Sequence, residues 1–99
     1  MKILAIEHEL PEATTEKFQE YARLEAARAW ELQQQGLIRE LYFRTDRNEA
    51  VLVLECADLE SAGAVLASLP LVEQGLISFE LIPLVAYPGF ARLFVAQTR

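Results

Sequence analysis

The hydrophobic and polar positions of this chain mark four short β-rich stretches and two longer ones with a helical period. Residues 2–8 (KILAIEH) are β-rich, and Leu10-Pro11 ends the run. Phe18, Tyr21, Ala22, Ala29 and Leu32 then recur at helical spacing, which predicts a helix with one apolar stripe. Thr14 or Thr15 caps its start and Glu16 suits its positive end. The helix runs to about Gln35, and Gly36 fits the left-handed position that follows a helix end. Residues 37–44 (LIRELYFR) and 49–56 (EAVLVLEC) read as two strands joined through the polar turn Thr45-Asp46-Arg47-Asn48, a hairpin. Asp58 caps a second helix with a face of small residues (Ala62, Gly63, Ala64, Ala67), which stops before Pro70. Residues 76–84 supply the fourth strand.

The order is therefore β-α-β-β-α-β, a split βαβ or ferredoxin-like α+β fold: a four-stranded antiparallel sheet with two helices on one face. Such a sheet has one face open to water and should alternate apolar and polar residues. The third strand does not, since Val51, Leu52, Val53 and Leu54 place apolar side chains on both faces. The second strand ends Leu41-Tyr42-Phe43, and the fourth carries Ile77, Phe79, Leu81 and Ile82. The face away from the helices needs a cover, and a second copy of the sheet would provide it, as in a dimeric α/β barrel. The domain occupies residues 1–85. Residues 86–99 still carry Tyr87, Phe90, Leu93 and Phe94, which suggests an arm packing on a neighbouring subunit of a homodimer or higher homo-oligomer.

Composition supports that reading. With 99 residues the chain makes one domain, yet 53% of its residues are hydrophobic, above the roughly 45–50% of soluble domains. A net charge of −6 argues against nucleic acid and against an anionic membrane surface. No window approaches the ~18 apolar residues of a membrane span, and Glu7, His8 and Glu9 interrupt the N-terminal apolar run before it resembles a signal peptide. A cytoplasmic location is the default. One cysteine, Cys56, cannot form an internal disulfide, and one histidine with one cysteine is a poor ligand set for zinc or a redox metal. No metal or cofactor is expected.

Several ordered features resemble the muconolactone isomerase-like family of the dimeric α/β barrel superfamily. They are Trp30-Glu31-Leu32-Gln33 at the end of the first helix, Gly36 followed by Arg39 and Tyr42, Leu69-Pro70-Leu71, Glu80-Leu81-Ile82-Pro83-Leu84, and Tyr87-Pro88. The resemblance implies a ferredoxin-like subunit, face-to-face sheets in a dimer, and further assembly through the C-terminal tail. It also implies a lactone isomerase that shifts a proton without a cofactor, using a carboxylate on the first helix. That position falls near Ala27, and Glu25 is the nearest acid.

The residues themselves point to a small set of candidates. Glu25 lies within the apolar stripe of the first helix, where burial would raise its pKa toward that of a general acid or base. His8 is the sole imidazole, at a strand end between two acids, and is the second proton-transfer candidate. Arg39, read on one face with Leu37, Leu41 and Phe43, could clamp a substrate carboxylate, with Tyr42 and Tyr21 as further substrate contacts. An ion pair of Glu25 with Arg39 or Arg28 is the structural alternative. Trp30 lies off the main stripe and suits packing under the tail or at an interface. The expected function is a cofactor-free acid–base isomerase of a small lactone or organic acid. The alternative is a non-catalytic ligand-binding or assembly protein on the same scaffold.

Overall fold

The computed structural model describes residues 1–95. Strand β1 (Lys2–Glu9) leads through a turn to helix α1 (Thr15–Gln34), then to the hairpin β2 (Ile38–Phe43) and β3 (Ala50–Glu55). Helix α2 (Leu59–Ala67), the short α3 (Pro70–Glu73) and strand β4 (Ile77–Leu84) complete the domain, and a 3-10 segment, Pro88–Leu93, follows. The four strands form one antiparallel sheet in the order β2-β3-β1-β4, with β1 central and antiparallel to both neighbours. This is the ferredoxin-like order expected from the sequence. No helix among the described residues is long and apolar enough to cross a membrane.

The element ends follow local chemistry. Thr14 Oγ1 accepts from the Lys17 amide at 3.2 Å, and Asp58 Oδ1 accepts from the Ser61 amide at 2.7 Å, so both long helices begin on side-chain caps. Gly36 adopts φ 79° just past α1, a conformation that costs any residue with a Cβ. Helix α3 differs from the sequence reading, which stops the second helix before Pro70 and places nothing after it. Proline lacks a donor that the first helical position does not need, so Pro70 begins a new turn instead of only ending the old one.

Each strand presents two faces. Ile3, Ala5 and Glu7 of β1 share the helix side with Leu52 and Leu54 of β3 and with Phe79 and Leu81 of β4. Ile3, Leu52 and Leu54 are buried there with Leu32 of α1, Ala62 and Leu66 of α2, and Leu69. The opposite face carries Leu4, Ile6, Val51, Val53, Ile82 and Leu84, with no helix or strand of the described residues layered over it. The apolar residues on both faces of the sheet are thus real, as the third strand indicates.

Strand β2 departs from simple alternation. Its pairing with β3 shifts between Ile38 and Glu40, so Arg39 is a bulge residue. Ile38, Leu41 and Phe43 therefore share the helix side, and Glu40 and Tyr42 the outer side. The sequence assignment of Arg39 to the face of Leu41 and Phe43, with Ile38 opposite, is corrected by that one extra residue.

Helix α1 touches the core through a single fully buried side chain, Leu32 at 0% exposure. Leu32→Ala should lower unfolding free energy by about 2–5 kcal/mol in a urea titration, the usual cost of deleting a buried leucine. A loss below about 1 kcal/mol would show that α1 is held by something else.

Candidate functional site

Upstream of Leu32, the stripe of α1 that faces the sheet is built from small side chains. Ala22, Ala26 and Ala29 cannot reach the sheet below, and a cavity of about 510 Å³ opens between α1 and the helix side of the sheet. That volume lies within the ordinary range for small-molecule sites, about 300–1,000 Å³. Phe18 and Trp30 of α1, Leu41 and Phe43 of the edge strand β2, Phe79 of β4 and Leu71 of α3 supply its apolar walls. The edge position of β2 leaves Leu41 and Phe43 partly exposed, at 40% and 59%, so the cavity opens toward solvent on that side.

Four polar side chains face this space: Glu7, Glu25, Gln33 and Asn48. Glu7 is only 6% exposed and receives one hydrogen bond, from the Ala50 amide at 3.2 Å. Burial pushes its carboxyl above the ordinary value of 4.5, the Ala50 N–H pulls it back, and the negative fields of Glu49, Glu25 and Glu9 push it up again. Glu25 is half-buried and accepts from the Leu71 amide at 2.9 Å. Burial raises its pKa as well, opposed by that amide. Among the described residues, neither carboxylate has a salt-bridge partner.

A third buried acid shows what a structural carboxylate looks like in this fold. Glu49, 8% exposed, accepts from the Glu9 amide at 2.9 Å and lies 3.9 Å from Arg44 and 3.6 Å from Arg47. It ties the hairpin to the end of β1. Glu7 and Glu25 have no such cations and face a cavity instead. Among the described residues, no cluster of three or more His, Cys, Asp or Glu side chains is placed to hold a metal ion. Burial raises the Cys56 thiol, which keeps it in its unreactive form.

The sequence model of muconolactone delta-isomerase matches residues 3–89, nearly the whole described chain. The chain belongs to the muconolactone delta-isomerase family. A crystal structure of muconolactone isomerase superimposes with a TM-score of 0.74, covering 89% of this chain and 92% of that one at 22% identity. At that identity the likeness speaks for the fold. No curated protein sequence is significantly similar to the chain.

Within this family member the candidate residues separate. Glu25 faces the cavity, and the ion pairs considered for it with Arg39 or Arg28 do not form: Arg28 bonds Ser68 and Glu31 instead. His8 lies on the outer face of the sheet, 3.5 Å from Glu80, on the far side of β1 from the cavity. Tyr42 is also on the outer face, donating to Glu40 at 2.7 Å. Arg39 folds back from its bulge to donate to the Gly36 carbonyl at 2.6 Å, and neither it nor Tyr21 lines the cavity. Glu7 is not among the sequence candidates, although in β1 it shares the parity of Ile3 and Ala5, which places a carboxylate on the helix side. Trp30 lines the cavity and is 63% exposed.

The raised carboxyls set a pH dependence. A folded-state pKa above the unfolded value of about 4.5 means that the folded chain holds the proton longer. The stability this brings is complete below pH 4.5 and is lost as pH rises through the folded pKa. Glu7→Gln should therefore be more stable than wild type at neutral pH and lose that advantage at pH 4, in thermal melts across the range. A Glu7→Gln advantage that is independent of pH would refute the assignment.

Proposed function

We propose that this chain is a cofactor-free isomerase that moves a proton within an unsaturated lactone, with the cavity under α1 as its site. The observation that carries the reading is the placement of two carboxyl groups, Glu7 and Glu25, without salt-bridge partners among the described residues, in a largely apolar cavity large enough for a small organic molecule. A 1,3-proton shift needs one group to remove a proton from carbon and return it at another carbon. It also needs a donor for the carbonyl oxygen, which becomes anionic as the dienolate forms. Glu25, half-buried and reached from the open side, takes the first role as carboxylate and then as acid. Glu7, the more deeply buried, is placed to donate to the oxygen in its protonated form, which burial favours. One proton is removed and one is returned, so the reaction balances with no oxidant or reductant.

The test is isomerisation of unsaturated γ-lactones, muconolactone among them, followed in heavy water so that solvent exchange reports proton abstraction. Glu25→Gln should lower kcat by about 10²–10⁴-fold, the ordinary contribution of a positioned acid–base group. Wild-type protein inert toward every lactone would leave a ligand-binding role for the same cavity. Equal turnover by wild type and Glu25→Gln would remove Glu25 as the base.

The same proposal includes a homodimer, with two outer sheet faces packed together, and a C-terminal arm seated on a neighbour. Two features support it. The outer face carries Leu4, Ile6, Val51, Val53, Ile82 and Leu84 with no helix or strand of the described residues over them. Beyond Leu84, Tyr87, Phe90, Leu93 and Phe94 are 64–85% exposed, and Tyr87 and Phe90 stack edge-to-face at 4.9 Å. Isolated apolar arms of this kind mark interaction surfaces. The last four residues of the arm, 96–99, lie outside the described residues. Deleting residues 86–99 should lower the particle mass measured by light scattering. An unchanged, monodisperse particle would count against a docked arm.

A further inference from the structure

A lactone acid can use this cavity only if its charge stays out of the interior. The described lining holds two carboxyl and two amide side chains and no lysine, arginine or histidine. A carboxylate drawn inside would lose its hydration and meet Glu7 and Glu25. The ring can enter while the carboxylate stays at the mouth, on the side where Leu41 and Phe43 of β2 are exposed. A cation on that rim would hold it there.

Helix geometry identifies such a cation. An α-helix turns about 100° per residue. Glu25 and Arg28 reach Leu71 and Ser68, on the side of α1 nearest α3. Trp30 lies about 140° around the helix from Glu25 and lines the cavity from the β2 side, with Ala26. Arg23 falls within about 20° of Trp30, two turns earlier, and three residues before Ala26. It is exposed, and among the described residues it makes no ion pair or side-chain hydrogen bond, not even with Glu20 one turn away. The other basic residues are engaged or distant. Arg28 donates to Ser68 and Glu31, Arg39 to the Gly36 carbonyl, and Lys17 to the Glu12 carbonyl. Arg44 forms a two-armed pair with Asp46, and Arg44 and Arg47 both approach Glu49. Lys2 and His8 share the outer-face parity of Leu4, and Arg92 belongs to the 3-10 segment beyond β4. Arg99 lies outside the described residues.

We propose that Arg23 holds the carboxylate of the substrate at the mouth of the cavity, while the lactone ring lies inside with its carbonyl toward Glu7 and Glu25. This rests on the cavity under α1 being the site and deepens that reading by naming the residue that recognises the anionic arm. The clamp expected of Arg39 passes to α1, and a guanidinium suits it because it can form two parallel bonds to a carboxylate. A substituent on the γ carbon diverges from the ring carbonyl, so one molecule can direct its carbonyl inward and its charge to the rim.

Trp30 is the only tryptophan and lines the cavity, so its fluorescence reports occupancy. The probes are a butenolide with a carboxymethyl arm on its γ carbon and the methyl ester of the same compound, titrated into the full-length chain near neutral pH. Arg23→Gln should weaken binding of the acid by about three- to tenfold, the worth of a partly exposed two-armed pair, and change that of the ester by less than about twofold. Arg23→Lys keeps the charge without the fork and should recover part of the loss. The effect on the acid should shrink as salt is raised, because an exposed pair is screened. Acid binding that Arg23→Gln leaves unchanged overturns the assignment, and so does an equal loss for acid and ester. Failure of the wild type to bind either probe overturns the assignment and the cavity site together. Arg23-dependent binding of the acid without isomerisation upholds the assignment and defeats the catalytic reading. Isomerisation of the acid with a KM that Arg23→Gln leaves unchanged does the reverse.

Discussion

A helix seated on a sheet through alanines cannot fill the space beneath it, and the candidate site depends on that constraint. Leu32 anchors the C-terminal part of α1 in the core, while Ala22, Ala26 and Ala29 face the sheet from which they are too short to exclude a cavity. Protein interiors normally close such gaps, because an unfilled cavity forfeits the contacts of its lining. Larger residues at the three alanine positions would extend the core toward β2 and leave Glu7 and Glu25 with no space to face. The poor contribution of α1 to the core and the presence of a site are the same fact seen from two sides.

The second constraint is electrostatic. Three acids approach burial on or beside the central strands, and the fold treats them differently. Glu49 sits at the hairpin with two arginines and a backbone amide, the arrangement of a carboxylate whose charge is compensated. Glu7 and Glu25 each receive one backbone amide and, among the described residues, no cation. One hydrogen bond does not offset the loss of hydration around a full charge, which is why burial leads the causes that raise both groups. A chain with nine basic residues could have supplied a partner. Leaving these two uncompensated costs stability at neutral pH, and groups of that kind concentrate where protons are moved.

Most of the fold was legible because it follows from local rules. Thr14, Asp58 and Gly36 mark helix ends by mechanisms that act within one turn, and β3 showed its two apolar faces in four consecutive residues. Glu25 was legible for the same reason, as a carboxylate in an apolar stripe. What failed were the residues whose orientation depends on something non-local or on a single inserted position. The bulge at Arg39 reverses the parity of Ile38 and Arg39 relative to Leu41, and strict alternation cannot register an extra residue. His8 attracted notice by residue type, yet its parity with Leu4 and Ile6 already placed it on the outer face. Glu7 has the opposite parity, so the same rule that removes His8 brings Glu7 to the cavity.

That alternation divides the molecule by face. Along β1, Ile3, Ala5 and Glu7 turn toward the helices and the cavity, while Leu4, Ile6 and His8 turn toward the uncovered face. The outer-face residues Leu4, Ile6, Val51, Val53 and Ile82 are absent from the lining of the cavity. A partner sheet could therefore cover the outer face without entering the cavity, and the cavity could bind its ligand without disturbing that contact. Coupling between the two would have to pass through the backbone of β1 and β3, the strands that serve both faces. Strand β2 is the exception. It is an edge strand, its Leu41 and Phe43 form the open wall of the cavity, and its Glu40 and Tyr42 face outward, so a neighbour packing along that edge is the one arrangement that would bear on both.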